Sequence, residues 1–103
     1  MPYILRILQR FHPEERAAYM QVEAQFAAME RRRDDFPKGR RSQPCIGREP
    51  TNTLIWESEF TTQEDAHAAI RLLSADAEHE ALFQQQVKYV RDAYVEVSEV
   101  LEF

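Results

Sequence analysis

The chain has 103 residues, of which 44% are hydrophobic and 30% are charged, and its formal net charge is -5. This length accommodates one hydrophobic core, so we expect a single domain over residues 1–103. The composition is typical of a folded globular protein and argues against disorder. The net acidity argues against a nucleic-acid-binding protein that relies on a general positive field.

The sequence contains no signal for a membrane, for export or for a metal. No apolar run approaches the roughly 20 residues of a membrane span, and arginines interrupt "MPYILRILQRF" where a signal peptide needs an apolar core. A single cysteine, Cys45, excludes an internal disulfide, and the three histidines share no metal-ligand spacing. We therefore expect a cytoplasmic protein without membrane contact, metal site or cofactor.

The first third of the chain predicts a strand and then a helix. Tyr3–Phe11 has apolar residues in both phases of an alternating pattern, which is typical of a strand covered on both faces. Pro13 and the two glutamates after it suit a first helical turn. The segment Phe36–Gly39 ends this helix. Its predicted buried stripe recurs at helical spacing and consists of Tyr19, Val22, Phe26 and Met29.

The middle of the chain predicts a β-hairpin. Arg40–Ile46 is a candidate strand, in which Pro44 indicates an edge or a bulge because proline lacks a ladder donor. Gly47–Asn52 has the composition of a hairpin connection. Thr53–Phe60 alternates as a strand. One of its faces carries Leu54, Trp56, Ser58 and Phe60.

The last third predicts a split helix and a final strand. Thr61–Glu64 has the form of a capping box, so a helix begins there. Asp76 follows a break and can cap a second helical piece. Tyr94–Phe103 then alternates as the closing strand.

This order of elements is the ferredoxin-like βαββαβ pattern of an α+β domain. It predicts a four-stranded antiparallel sheet with helices on one face, the second helix being split. The other face would mix Trp, Tyr, Leu, Arg and Glu, which is too apolar to remain in water. Two sheets packed face to face would then form a homodimeric α/β barrel with a cleft in each protomer. The expected partners are a second copy of the chain and a small molecule.

Three stretches of the sequence carry a resemblance to known proteins. "YILRIL", "LIWESEF" followed by a helix, and "SADAEHEALF" are similar to segments of the dimeric α/β-barrel superfamily. Within that superfamily the chain resembles NIPSNAP-like proteins, whose opening strand often carries an arginine where Arg6 stands, and antibiotic-biosynthesis-type monooxygenases. The resemblance covers nearly the whole chain and implies the same homodimeric fold.

The resemblance also implies roles for individual residues. In monooxygenase-like members a strand tryptophan at the position of Trp56 helps to wall the pocket, and a helix histidine lies near the position of His67. The cofactor-independent oxygenases of the superfamily rely on the reactivity of the substrate, so they need no metal motif. The haem-degrading branch uses a first-strand asparagine, and this chain has Ile7, Leu8 and Gln9 there, which argues against haem degradation.

Four residues form the candidate ligand-binding set: Arg6, Trp56, Ser58 and Tyr94. Arg6 has two interpretations, an ion pair with a glutamate of a neighbouring strand (Glu57, Glu96 or Glu99) or an anchor for an anionic ligand. Trp56 either fills the core or the dimer interface, or stacks on a ligand. Ser58 and Tyr94 would offer hydrogen bonds.

His67 is the candidate catalytic residue, because an imidazole near neutrality can move a proton; the alternative is an exposed helix histidine. His79 is expected to face solvent. The leading hypothesis is a protein that binds a small hydrophobic or anionic molecule in a cleft on the open face of the sheet. The alternatives are a cofactor-independent monooxygenase or isomerase that uses the same cleft, and a purely structural dimer whose barrel is filled by side chains.

Overall fold

The computed structural model describes residues 2–103, which form a four-stranded antiparallel sheet with helices packed on one face. The strand order β2-β3-β1-β4 is that of the ferredoxin-like fold, as the sequence predicts. In chain order the elements are β1 (Tyr3–Phe11), a 3₁₀ turn (Pro13–Glu15), α1 (Arg16–Arg32), β2 (Arg40–Ser42), β3 (Thr53–Phe60), α2 (Gln63–Ala75), α3 (Ala77–Gln86), a second 3₁₀ turn (Val87–Tyr89) and β4 (Val90–Glu99).

Two strands differ from the sequence-based expectation. β2 covers only Arg40–Ser42 and ends before Pro44, which cannot donate to a ladder. The expectation of a last strand over Tyr94–Phe103 was also wrong in its bounds. β4 begins at Val90, opposite Phe11, and ends at Glu99, opposite Tyr3 at the start of β1. The length of β1 therefore sets the length of β4.

The predicted split of the second helix is confirmed, and its cause is local. Asp76 has extended backbone angles (φ -75°, ψ 130°), which end α2. Its carboxylate then accepts a hydrogen bond from the backbone N–H of His79 at 3.0 Å and caps α3. Thr62 caps α2 in the same way, by accepting from Asp65 N at 3.1 Å, one residue later than the predicted motif places the cap.

The central strand β1 fixes which side chains share a face of the sheet. Ile7 lies opposite Trp56 of β3, on the face that packs against the helices. The neighbouring residue of β1, Leu8, lies opposite Ile55 and Tyr94 on the open face. Because side chains alternate along a strand, Trp56 and Tyr94 project from opposite faces.

The core lies between the helices and the sheet. The predicted stripe of α1, from Tyr19 to Met29, is buried as expected. Tyr19 stacks on Phe11 of β1 with ring centroids 4.7 Å apart, and Ala69 of α2 packs on Leu5. No helix among residues 2–103 combines the length and the apolar character needed to cross a bilayer.

The segment between β2 and β3 folds over part of the open face. Glu49 in this segment forms an ion pair with Arg10 at 3.2 Å and accepts a hydrogen bond from the Tyr94 hydroxyl. Leu8 and Ile55 are buried even though they lie on the face away from the helices. The open face is therefore partly covered by this segment and otherwise charged, and it is not a bare apolar surface.

Candidate ligand pocket between the helices and the sheet

A cavity of about 70 Å³ lies between the helices and the inner face of the sheet. This volume corresponds to about five water molecules, so it suits one small ring or a short branched chain. Most of the lining is apolar, and four phenylalanine or tryptophan rings from different parts of the chain contribute to it. These apolar residues include Ile7, Phe26, Met29, Phe36, Trp56 and Phe83.

The chain after α1 forms one wall of the cavity because a glycine lets it approach the tryptophan. A Cβ atom built on Gly39 would lie 2.0 Å from two atoms of the Trp56 indole, so no larger residue fits without displacement. The Gly39 N–H donates to Glu30 Oε1 at 3.2 Å, and the Lys38 ammonium donates to the carbonyls of Glu30 and Arg33. These contacts hold residues 36–39, the wall segment, to the end of α1.

The indole of Trp56 is oriented by the protein itself. Its Nε1 donates to Glu30 Oε1 at 3.2 Å, and its ring packs with Leu5 and Ala69. A buried indole N–H needs an acceptor, and Glu30 supplies it. Trp56 thus fills the core, as one interpretation of the sequence held, and its ring also lines the cavity.

A cluster of three charged side chains enters the cavity wall. Glu23 and Glu30 are two turns apart on the inner side of α1, and both are buried. Arg41 of β2 reaches between them: its Nε donates to Glu23 at 2.6 Å, and its Nη2 donates to Glu30. Gln86 of α3 donates to the other oxygen of Glu23 at 2.9 Å. The site therefore holds two carboxylates for one guanidinium.

The same geometry explains the charge state of Arg41. Burial alone would lower the pKa of its guanidinium, but the hydrogen bonds and charges of Glu30 and Glu23 outweigh burial and raise it. Arg41 therefore stays charged at every pH at which the protein is folded.

Gln9 offers the cavity a hydrogen-bond donor from β1. The Tyr19 hydroxyl donates to Gln9 Oε1 at 2.5 Å, which fixes the orientation of the amide. Burial raises the pKa of Tyr19, so this hydroxyl stays protonated and remains a donor. Gln9 lines the cavity, and its Nε2 group makes no hydrogen bond with residues 2–103.

His79 also lines the cavity, and the expectation that it faces solvent was wrong. Its ring centroid lies 4.8 Å from that of Phe26 and 6.3 Å from that of Phe36. Burial lowers the pKa of the imidazole, although the charge of Asp76 opposes this. His79 lies at the cavity because of the helix cap: Asp76 binds the backbone of His79, and the first turn of α3 packs against α1.

His67 lies elsewhere. It is exposed on α2, whose packed side carries Ala66 and Ala69, and it does not contribute to the cavity lining. The proton-transfer role predicted for it has no neighbouring pocket residue to act with, so the histidine of interest is His79.

The four predicted ligand-binding residues do not share one face. Trp56 and Ser58 project toward the helices, and Ser58 Oγ donates to the Lys38 carbonyl at 2.9 Å. Arg6 and Tyr94 lie on the open face, because the two-residue period of the strands separates them from Trp56. The expectation that these four residues line a single cleft was therefore wrong.

Arg6 forms ion pairs with two of its three predicted partners, Glu57 at 3.6 Å and Glu96 at 3.2 Å. This confirms the salt-bridge interpretation of Arg6. With both partners engaged, its guanidinium is surrounded by negative charge. The arrangement disfavours an anionic ligand at this position.

One feature of the sequence could have identified Glu23 and Glu30, which the sequence analysis did not select as site residues. Glu23 and Glu30 fall inside the apolar stripe of α1, where charged residues are rarely buried without a partner. That partner, Arg41, lies in another element, so only the fold reveals the cluster. Within residues 2–103, no group of three or more His, Cys, Asp or Glu side chains is arranged to hold a metal ion.

Solved structures of the same fold cover almost the whole chain. A NIPSNAP family protein from Agrobacterium tumefaciens has a TM-score of 0.77 at 13% identity, over 99% of this chain and 88% of its own. An uncharacterised NIPSNAP-like domain protein from Burkholderia xenovorans has a TM-score of 0.77 at 14% identity, over 99% and 87%. A candidate antibiotic biosynthesis monooxygenase from Nitrosomonas europaea has a TM-score of 0.70 at 10% identity, over 97% and 90%.

Comparison by sequence adds nothing to this, since no protein-family model and no curated protein matches the chain. At such low identities the structural likeness establishes a fold, and a fold hosts many functions. The resemblance predicted from the sequence is thereby confirmed at the level of architecture. This chain is a small ferredoxin-like α+β protein similar in fold to NIPSNAP family and antibiotic-biosynthesis-monooxygenase-like structures.

Proposed function

We propose that this protein binds a small hydrophobic molecule in the cavity between its helices and its sheet. The observation that carries the proposal is the lining: aromatic and aliphatic side chains surround the space, and a few polar groups converge on it. This combination is characteristic of small-molecule sites. The proposed site lies on the opposite side of the sheet from the cleft expected from the sequence.

The polar groups indicate how such a ligand would be oriented. Gln9 Nε2 is a donor without an acceptor among residues 2–103, and Tyr19 fixes the amide that carries it. A carbonyl or hydroxyl oxygen of the ligand would accept from Gln9, while its apolar body lies against Phe26 and Trp56.

A second candidate function is proton-transfer catalysis in the same cavity, as in a cofactor-independent monooxygenase or an isomerase. The observation that favours it is His79, an imidazole whose lowered pKa keeps it neutral near pH 7, with a ring nitrogen free of a proton, in a mostly apolar pocket. His79 would accept a proton from a carbon or oxygen acid of the ligand, and the electron pair would remain on a ligand oxygen that accepts from Gln9.

We further propose that the protein is a homodimer that uses the open face of the sheet. Arg6 and Arg10 of β1 lie on this face, and each is paired with an acidic residue of β4, namely Glu96 and Asp92. A symmetry-related copy can therefore meet the face with opposite charges in register. The rival assembly is a dimer that has only a structural role, with side chains filling the space between the two sheets.

Native mass spectrometry combined with fluorescence tests these proposals. Trp56 is the only tryptophan, so its emission reports occupancy of the cavity directly. A dimer that retains extra mass, and whose emission shifts when this mass is removed, supports both proposals. A monomer contradicts the dimer. Unchanged Trp56 emission across a panel of small aromatic and branched aliphatic compounds contradicts the cavity as a ligand site.

A further inference from the structure

The cavity wall carries more negative than positive charge. Glu23 and Glu30 face one guanidinium, that of Arg41, and both glutamates are buried. The Glu30 carboxylate accepts hydrogen bonds from three residues, Arg41, Trp56 and Gly39. With all three groups ionised, the cluster contributes one net negative charge to an apolar space.

The positive groups at the rim do not reverse this balance. Arg33 stacks over the ring of Phe36 at 4.3 Å, but its guanidinium is bound by three carboxylates, Asp35, Asp76 and Glu78. The Lys38 ammonium is bound to two backbone carbonyls. His79 is neutral near pH 7. Neither Arg33 nor Lys38 lines the cavity, so the charge of the wall itself remains negative.

From this we infer that the site selects small organic cations, a hydrophobic primary amine being the simplest, and rejects carboxylates. The inference rests on the proposed binding function and names the class of ligand. The folding of the chain has already removed water from Glu23 and Glu30, so the ligand contributes only its own dehydration. The rings of Phe26, Phe36 and Trp56 line the cavity, and an aromatic ring attracts an ammonium group that lies over its face.

The same charges work against an acid. A carboxylate in the cavity would lose hydration and would meet two anions before one guanidinium that is already engaged. The loss of hydration and the repulsion by the two glutamates both oppose binding of an acid. The discrimination against acids should therefore exceed the preference for an amine over a neutral alcohol. The expectation from sequence that an anionic ligand would be anchored by Arg6 points to the other face and to the opposite charge.

Three probes of matched size test the inference: benzylamine, benzyl alcohol and benzoate, titrated at pH 7 against Trp56 emission at constant ionic strength. We expect the amine to bind about tenfold more tightly than the alcohol, and at least about a hundredfold more tightly than benzoate, which are modest effects for unit charges a few ångströms apart. Equal affinity of amine and alcohol, or tighter binding of benzoate, would overturn the cation inference while leaving the cavity as a ligand site. Binding of none of the three would instead count against the binding function itself.

A pair of variants locates the selectivity. E23Q keeps the shape of the side chain and an acceptor for Arg41 but removes the charge, so the preference for amine over alcohol should fall to about twofold or less. E64Q removes the same charge from an exposed position in the first turn of α2 and should leave the preference unchanged. A preference retained in E23Q, or lost equally in E64Q, would show that the overall acidity of the chain is responsible and not the cavity. The wild-type comparison remains decisive if E23Q fails to fold.

Discussion

The substitution Gly39→Ala tests whether the tryptophan wall is as tightly packed as the structure indicates. Gly39 lies against the indole of Trp56, and its N–H binds Glu30. The new methyl group would sit 2.0 Å from indole atoms, whereas ordinary contacts begin near 3.4 Å. The indole cannot retreat easily, because Leu5 and Ala69 pack against it. The wall segment must therefore move outward.

The cost of this movement can be worked out from its parts. Overpacking of a well-packed site costs about 1–3 kcal/mol. Weakening of the Trp56–Glu30 hydrogen bond adds about 1 kcal/mol. We therefore expect the free energy of unfolding to fall by about 2–4 kcal/mol, which for a domain of this size lowers Tm by at least roughly 8 °C.

Thermal unfolding followed by circular dichroism and by Trp56 emission provides the assay. The control is Gly47→Ala: Gly47 has open space around it, but its φ of 146° strains any other residue. The control should lose about 1–3 kcal/mol through backbone strain alone and keep the native Trp56 spectrum. A Gly39→Ala protein with unchanged Tm and emission would refute the close packing of this wall.

Three further outcomes follow from charges in and around the cavity. Arg41→Met leaves Glu23 and Glu30 buried without their cation. It should lower the free energy of unfolding by about 3 kcal/mol, because an uncompensated buried charge is strongly destabilising. Denaturant unfolding at pH 7 measures this change, and a decrease below about 1 kcal/mol would contradict the pairing. The Arg33 hydrogen bonds lower the pKa of Asp76 below its ordinary 3.8, so Asp76 contributes stability above that pH that is lost as the pH falls below it. Tm should therefore be higher for wild type than for Asp76→Asn at pH 6, with a gap that narrows below pH 3.8; a constant gap would count against the ion pair. Burial lowers the pKa of His79 below its ordinary 6.5, so the wild-type protein should lose stability as the pH falls from 6.5. The variant His79→Phe should lose less stability over the same range. Parallel curves of stability against pH for the two proteins would show that His79 does not titrate in the cavity.

The order of the elements and the bounds of two strands were predictable from the sequence. β1 and β3 match their predicted ranges, because alternating apolar residues end at helix-start signals in both cases. Asp76 was identified from local chemistry alone, since a cap depends only on residues within one turn. β4 was misplaced because its bounds are set by pairing with β1, a contact between residues about 90 positions apart.

The site was predicted less well, for a physical reason. The alternation of a strand shows that Trp56 and Ser58 share a face, but not whether helices or a second sheet cover that face. Tyr94 and Arg6 were assigned to the same cleft as Trp56, because the alternation within one strand does not show which of its faces matches a given face of the neighbouring strand. The phase appears only with the register, in which Ile7 and not Arg6 lies opposite Trp56.

The charged cluster itself raises the question of whether it serves stability or binding. Buried ion pairs are weak contributors to stability, and apolar replacements of similar volume are often neutral or stabilising by about 1–4 kcal/mol. The triple variant E23M/R41M/E30Q separates the two roles: it removes all three charges and keeps, at position 30, an acceptor for Trp56 and Gly39. We expect its unfolding free energy to lie within about 1 kcal/mol of wild type or above it, with the discrimination between benzylamine and benzoate abolished. A large loss of stability would show that the cluster holds the fold together. A stable variant that still prefers the amine would show that the selectivity arises outside Glu23, Glu30 and Arg41.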